Sequence, residues 1–211
     1  MESLYTTANG KPRAASGIER IMYPARAVFA YALDEGYITR NPARKVANPE
    51  PDALGQEPFE GIALTPQQIQ AIATECGKKH EHGDLVVWFV ALTGVRAGEL
   101  ARVDLADLNT LHRFLTVRGT KSRRSRDRRV DYSSALTTRL QPYLDAHPNA
   151  TPTAPLFCGR DNNARPDPNR RFDPGTFYKR VFKPAAIKLG LPTVRFHDLR
   201  HTAGSWWIEA A

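Results

Sequence analysis

The stretch Asp84 to Thr93, DLVVWFVALT, limits this chain's fold more than any other segment. It is apolar nearly all round, so as a helix it has no face to give to water. Other elements must surround it, which predicts a helix-centred core. Gly94 follows at once and is placed to stop the helix.

The flanking segments can supply that cover. Thr65-Pro66-Gln67-Gln68 reads as a helix start, with Thr65 as N-cap, Pro66 at the first helical position and Gln68 completing a capping box. Ile69, Ile72, Ala73 and Cys76 recur at helical spacing as its buried face, and Gly77 ends it. A third helix is expected over Arg96 to Arg102. Phe114 to Arg118 and Arg129 to Tyr132 alternate as strands around a turn from Gly119 to Arg128. Ser134 is read as the cap of a helix carrying Leu136, Leu140, Tyr143 and Leu144. His147 to Pro174, rich in Pro, Asn and Asp, reads mostly as loop. A helix from Asp173-Pro174 turns Phe177, Val181 and Phe182 inward, bends at Pro184 and ends at Gly190. His197 to Ala211 is a last helical stretch. The expected fold class is mainly α with a small antiparallel β-sheet (α+β).

Upstream, Ile18, Ile21, Met22, Ala25, Val28, Phe29, Ala32 and Leu33 form another helical stripe, with Pro24 set to kink or split it and Gly36 to stop it. One helix cannot bury its own stripe. Residues 47–61 hold Pro49, Pro51, Pro58, Gly55 and Gly61 without periodicity and read as a linker. The expected organisation is 1–46, a linker over 47–61, and a main domain over 62–211.

The net charge of +8 favours a polyanionic partner, nucleic acid first. Cys76 and Cys158 stand far apart, which is neither a disulfide framework nor a zinc ribbon and fits a reducing compartment. No apolar run reaches membrane-spanning length and no signal-peptide core is visible. A cytoplasmic protein with no membrane association is therefore expected.

Three charged features carry the chemistry. Thr93-Gly94-Val95-Arg96-Ala97-Gly98-Glu99-Leu100 puts Arg96 and Glu99 three residues apart just after the buried helix. Alone, it reads as a capping glycine and a surface ion pair. RGTKSRRSRDRR, Arg118 to Arg129, sets Arg118, Lys121, Arg123, Arg124, Arg126, Arg128 and Arg129 against one acid, Asp127. Such crowding repels itself unless a polyanion neutralises it, so these arginines are candidate DNA contacts, with a solvated basic loop as the alternative. His197-Asp198-Leu199-Arg200-His201-Thr202 brings His197 near Arg200 and His201 on one helix face. A zinc site is a third-ligand short: Asp198, not Glu, follows the first histidine.

Taken together, TGVRAGEL, a lone lysine in a basic hairpin and HDLRHT resemble the tyrosine recombinase (phage integrase) family over about residues 59–211. ERIMYPARAVFAYALDEGYITRNPARKV looks like the last helix of that family's core-binding domain, leading into its catalytic domain. The resemblance implies the DNA breaking-rejoining fold, and a reaction in which a tyrosine attacks a DNA phosphodiester, leaving a 3′-phosphotyrosine and a free 5′-hydroxyl. It assigns Arg96 and Arg200 to clamping the phosphate oxygens, Lys121 to protonating the leaving oxygen, and His197 to proton transfer. Glu99, Asp198 and His201 become supporting residues. No cofactor is implied: arginines replace a metal cation, and the phosphotyrosine conserves bond energy. The implied partners are double-stranded DNA and other recombinase protomers in a four-protomer synapse. The family's nucleophile lies beyond the HxxR box, whereas Tyr5, Tyr23, Tyr31, Tyr37, Tyr132, Tyr143 and Tyr178 all precede it. That implies no nucleophile in the chain, and a monomeric fragment of a longer integrase or a natural truncation. A non-enzymatic DNA-binding remnant or regulator and a type IB topoisomerase are the other readings.

Phosphate contacts make affinity salt-dependent. With about six of them, log K against log[salt] should fall with a slope of about −5, measured by titration at several salt concentrations; a slope near zero excludes the hairpin as a DNA-contacting element.

Overall fold

The computed structural model describes residues 5–7, 9–10, 12–47, 61–119, 127–161 and 165–209. The chain divides into two compact units, Met1–Glu60 and Gly61–Ala211. The expected linker over 47–61 lies outside the described residues except for Ala47 and Gly61.

The first unit is built on α1 (Ala15–Asp34), which runs as one helix through Pro24 rather than splitting there. Gly36 ends it as expected. At φ +75° it lets its own N–H bond Leu33 O (3.1 Å) and the Tyr37 N–H bond Ala32 O (2.8 Å), the paired closure of a Schellman motif. Ile18 and Ala43 are buried in this unit.

The second unit wraps α3 (Gly83–Thr93), whose Val86, Val87, Phe89, Val90 and Ala91 are all buried. Against it lies α2 (Pro66–Gly77), started by the capping box read from sequence: Gln68 N–H donates to Thr65 Oγ1 at 3.2 Å and Thr65 N–H to Gln68 Oε1 at 2.9 Å. The two helices approach so closely that a Cβ on Gly83 would sit 2.5 Å from Cys76 O, leaving room for glycine alone. A short α4 (Ala97–Leu100) stands where a helix over Arg96 to Arg102 was expected.

Three strands, β1 (Leu108–Asn109), β2 (Phe114–Val117) and β3 (Arg128–Asp131), form an antiparallel sheet in the order β1-β2-β3. Its register pairs Leu115 with Val130 and Val117 with Arg128. Leu115, Val117 and Val130 enter the core, which fixes the register, since a one-residue slip would turn them to solvent. Next comes α5 (Ser134–Asp145), with Ser133 rather than Ser134 at its cap position; Leu136, Leu140 and Tyr143 are buried.

The expected loop from His147 to Pro174 instead holds a second antiparallel sheet, β4 (Cys158–Arg160) with β5 (Pro166–Arg171). With two strands, each is an edge, where Pro166 and Pro168 are tolerated. Gly159 permits the pairing: a Cβ there would lie 2.5 Å from Arg171 O. The helix begun by Asp173, whose Oδ1 accepts the Gly175 N–H at 2.8 Å, comes in three parts: α6 (Pro174–Phe177), a π-helical turn over Tyr178–Phe182, and α7 (Lys183–Lys188). Lys183 N–H bonds Tyr178 O just before Pro184, so the helix changes type where the ring removes a donor. Gly190 closes α7 at φ +75°.

The last element, α8 (Asp198–Glu209), packs on α3. Thr202, fully buried, pins it: its Oγ1 accepts the Leu64 N–H at 3.0 Å and donates to Asp198 O at 2.8 Å. Trp206 packs against the core beside Trp88, while Trp207 is exposed. No described helix is long and apolar enough to cross a membrane.

Gly94 joins α3 to α8. It sits at φ 63°, and a Cβ there would lie 3.3 Å from the Ala203 methyl. Gly190→Ala meets only the left-handed backbone cost, about 1–2 kcal/mol, because open space surrounds it. Gly94→Ala should lose more than that, since α8 must also shift; chemical denaturation of both variants checks the order.

Candidate phosphate-binding site

Three segments meet at the N-terminus of α4: the end of α3, the base of the β2–β3 hairpin, and α8. Arg96 is the residue before α4 and has extended backbone, so its N–H points along the helix start. Glu99, three residues on and buried, takes that N–H on Oε2 (2.8 Å) and the Arg96 guanidinium on Oε1 (2.8 Å). The expected Arg96–Glu99 pair is therefore a two-point grip on one carboxylate. Arg128, at the first position of β3, donates Nη2 to Glu99 Oε2 at 2.8 Å. The sequence separates these two by 29 residues, and no local pattern announces the contact.

Arg200, on the first turn of α8, donates Nη1 to Gly94 O, a carbonyl left free at the C-terminal end of α3. Burial lowers the Arg200 pKa from its ordinary value, and the Arg96 and Arg128 charges lower it further, against an opposing pull from Glu99. Three guanidiniums thus feel one another around one carboxylate. Glu99 responds in the opposite sense: burial would raise it, but the Arg96 backbone N–H and the Arg96 and Arg128 guanidiniums outweigh that and hold it below the usual carboxylate range.

His197, next to the first turn of α8, lies edge-to-face with His201 at 4.9 Å between ring centroids. Burial, then His201, Arg200 and Arg195, lower its pKa, so it favours the neutral imidazole. His201 packs on Gly61, where a Cβ would come within 2.8 Å of the ring. Asp198 is fully buried and starts α8 as Glu99 starts α4: Oδ2 accepts the Arg195 N–H at 2.7 Å, and Oδ1 pairs with the Arg195 guanidinium at 3.0 Å. Sequence reading placed Asp198 beside the histidines but missed Arg195 as its partner. Among the described residues, no three of His, Cys, Asp and Glu gather as a metal site requires.

The basic hairpin divides. Lys121, Arg123, Arg124 and Arg126 lie outside the described residues. Arg118, expected to face DNA, spreads its guanidinium over Asp107 (2.8 and 3.0 Å) and Asp104 (3.1 Å), both buried. Arg129 pairs with Asp131 at 2.6 Å and stacks over Phe114 at 4.3 Å. Asp127 accepts the Gly119 N–H at 3.0 Å and closes the hairpin base.

A family model described as phage integrase family matches residues 63–211. The chain belongs to this family. It is 29% identical over 188 residues to tyrosine recombinase XerC of Pelobacter propionicus, covering 87% of this chain and 57% of that protein. Tyrosine recombinase XerA of Pyrococcus furiosus is 27% identical over 193 residues, covering 91% of this chain and 61% of the relative. The chain thus spans about three-fifths of these integrase-family relatives' length. Among solved structures, the Tn1549 transposon integrase in complex with transposon right end DNA superposes with a TM-score of 0.72 at 18% identity, covering 94% of this chain and 68% of that one. The lambda integrase dimer bound to a core site gives 0.63 at 18% identity, over 90% and 65%. These place the second unit in the integrase catalytic-domain fold.

Glu99 offsets repulsion among the cations. Glu99→Gln should cost about 1–3 kcal/mol at neutral pH. Because the folded carboxyl is depressed, its contribution is present above the unfolded value near 4.5 and is lost as pH falls through the folded value. The difference in denaturation midpoint between the parent and the Glu99→Gln protein should therefore shrink toward zero in acid; a difference independent of pH would rule out the charge as its source.

Proposed function

We propose that this chain is the phosphate-clamping part of a site-specific DNA recombinase that cleaves and rejoins strands through a 3′-phosphotyrosine. The observation that carries the reading is the convergence of Arg96 and Arg200 charges beside His197, on elements locked to one buried helix. A five-coordinate phosphorane gains negative charge on its non-bridging oxygens. Fixed guanidiniums stabilise that charge with permanent charge and fork geometry and need no reorganisation.

In this reading, Arg96 and Arg200 hold the two non-bridging oxygens. Lys121, in the basic hairpin, gives its proton to the leaving 5′-oxygen, helped by neighbouring cations that lower its pKa. His197, kept neutral by burial and nearby positive charge, accepts or relays a proton and hydrogen-bonds the phosphate. Glu99 orients Arg96; Asp198 and His201 set the start of α8. The attacking tyrosine is none of the seven here, since Tyr178, nearest to the box, is in the π-turn and stacks on Phe182. Residues 1–46 serve as the last part of a core-binding domain. The substrate is double-stranded DNA, and exchange takes place among several protomers. The DNA-bound integrases of the same fold, Tn1549 and lambda, support that choice of partner.

The product of the whole reading frame should cleave a suicide DNA substrate and become covalently attached to it. Arg96→Ala or Arg200→Ala should abolish cleavage, while the fold and most DNA affinity persist. Normal cleavage by the Arg200→Ala protein would overturn the assignment. Tight DNA binding without cleavage by the parent protein would mark a non-enzymatic DNA-binding module instead.

A further inference from the structure

Two arginines suffice for two phosphate oxygens, yet a third guanidinium reaches Glu99 beside that of Arg96. The third, Arg128, begins β3 and sits opposite Val117 on the last paired rung before the hairpin loop. Its Nη2 shares Glu99 Oε2 with the Arg96 N–H, while Arg96 Nη1 takes Oε1. One buried carboxylate thus gathers a helix start, a clamp arginine and the foot of the hairpin that carries Lys121.

An Arg–Glu pair three residues apart, with the arginine side chain 59% exposed, holds its geometry weakly by itself, because fixing two long side chains costs entropy. Adding a second cation changes that. Arg128 holds Glu99 by Oε2, so the Arg96 guanidinium docks onto a carboxylate already deprived of its rotamers. The Arg128 side chain is less exposed than that of Arg96 and is threaded through a paired strand, so it brings the sheet's stiffness with it.

We propose that Arg128 is a positioning residue for the phosphate clamp, fixing the Arg96 guanidinium through Glu99 and locking the hairpin base to the start of α4. The contact stands on its own geometry; its catalytic consequence rests on the recombinase reading. A direct contact between Arg128 and a DNA phosphate is the rival role.

The first test uses the chain itself. Relaxation of ¹⁵N-labelled arginine Nε–H groups should show an ordered Arg96 that becomes mobile in Arg128→Gln and is partly restored in Arg128→Lys, which keeps the charge. Thermal melts of each variant confirm folding. Unchanged Arg96 order in folded Arg128→Gln overturns the proposal. The second test uses the product of the whole reading frame. Arg128→Gln should slow single-turnover cleavage about ten- to a hundredfold, with DNA affinity within about threefold of the parent. It should add little to the loss already caused by Arg96→Lys, because both act through one guanidinium. Additive losses, or an affinity loss as large as the rate loss, would make Arg128 a DNA contact and refute the positioning role. If the parent protein does not cleave, the recombinase reading fails, and the relaxation measurement still decides whether Arg128 orders Arg96.

Discussion

The C-terminal end of α3 governs the arrangement of the site. A helix apolar on every side must be covered everywhere, so its end lies inside the unit, and its last carbonyls cannot be left to water. Gly94 turns the chain with left-handed backbone, and Arg200 from α8 takes the Gly94 carbonyl. A single bond therefore satisfies a buried helix end and sets a guanidinium in place. Val95 is buried and Arg96 emerges beside it, so the chain passes from the core to this arginine in a single step. The placing of Arg96 and Arg200 is a by-product of how the central helix ends.

The electrostatics follow from that placement. Arg96, Arg128 and Arg200 with one carboxylate leave a net positive cluster, and burial first, then the Arg96 and Arg128 charges, lower the Arg200 pKa. Folding holds these charges together before any anion arrives. A phosphate would relieve the repulsion, most of all when its charge grows at the transition state, which is the sense in which such a site is preorganised. Two other arginines of the unit are neutralised: Arg118 spans Asp104 and Asp107, and Arg195 is held by Asp198. At α4, by contrast, two guanidiniums share one carboxylate, so positive charge is left over there.

What the sequence revealed were the features whose causes are local. The Thr65 capping box, the stop at Gly36 and the all-apolar α3 depend on neighbours within a few residues, and each stands where the pattern put it. The integrase motifs were legible for the same reason, since TGVRAGEL and HDLRHT are short. The β4–β5 sheet was not, because PDPNRR lacks apolar alternation and the pairing depends on a backbone approach at Gly159 that only three dimensions reveal. The π-turn before Pro184 was seen only as a bend. Arg195 and Arg128 escaped notice because their importance lies in their carboxylate partners: Arg128 read as one more cation in a basic run.

That basic run had invited a uniform interpretation, and the fold argues against one. Arg118, Arg128 and Arg129 flank the loop and each has a carboxylate partner, two of them among buried acids and one on the surface. Surface pairing such as Arg129–Asp131 costs little to exchange for a phosphate. Withdrawing Arg118 or Arg128 is different, because it would leave buried carboxylates short of a partner, and that loss is expensive. Both feet of the hairpin are therefore committed to buried carboxylates, Arg118 to Asp104 and Asp107 and Arg128 to Glu99.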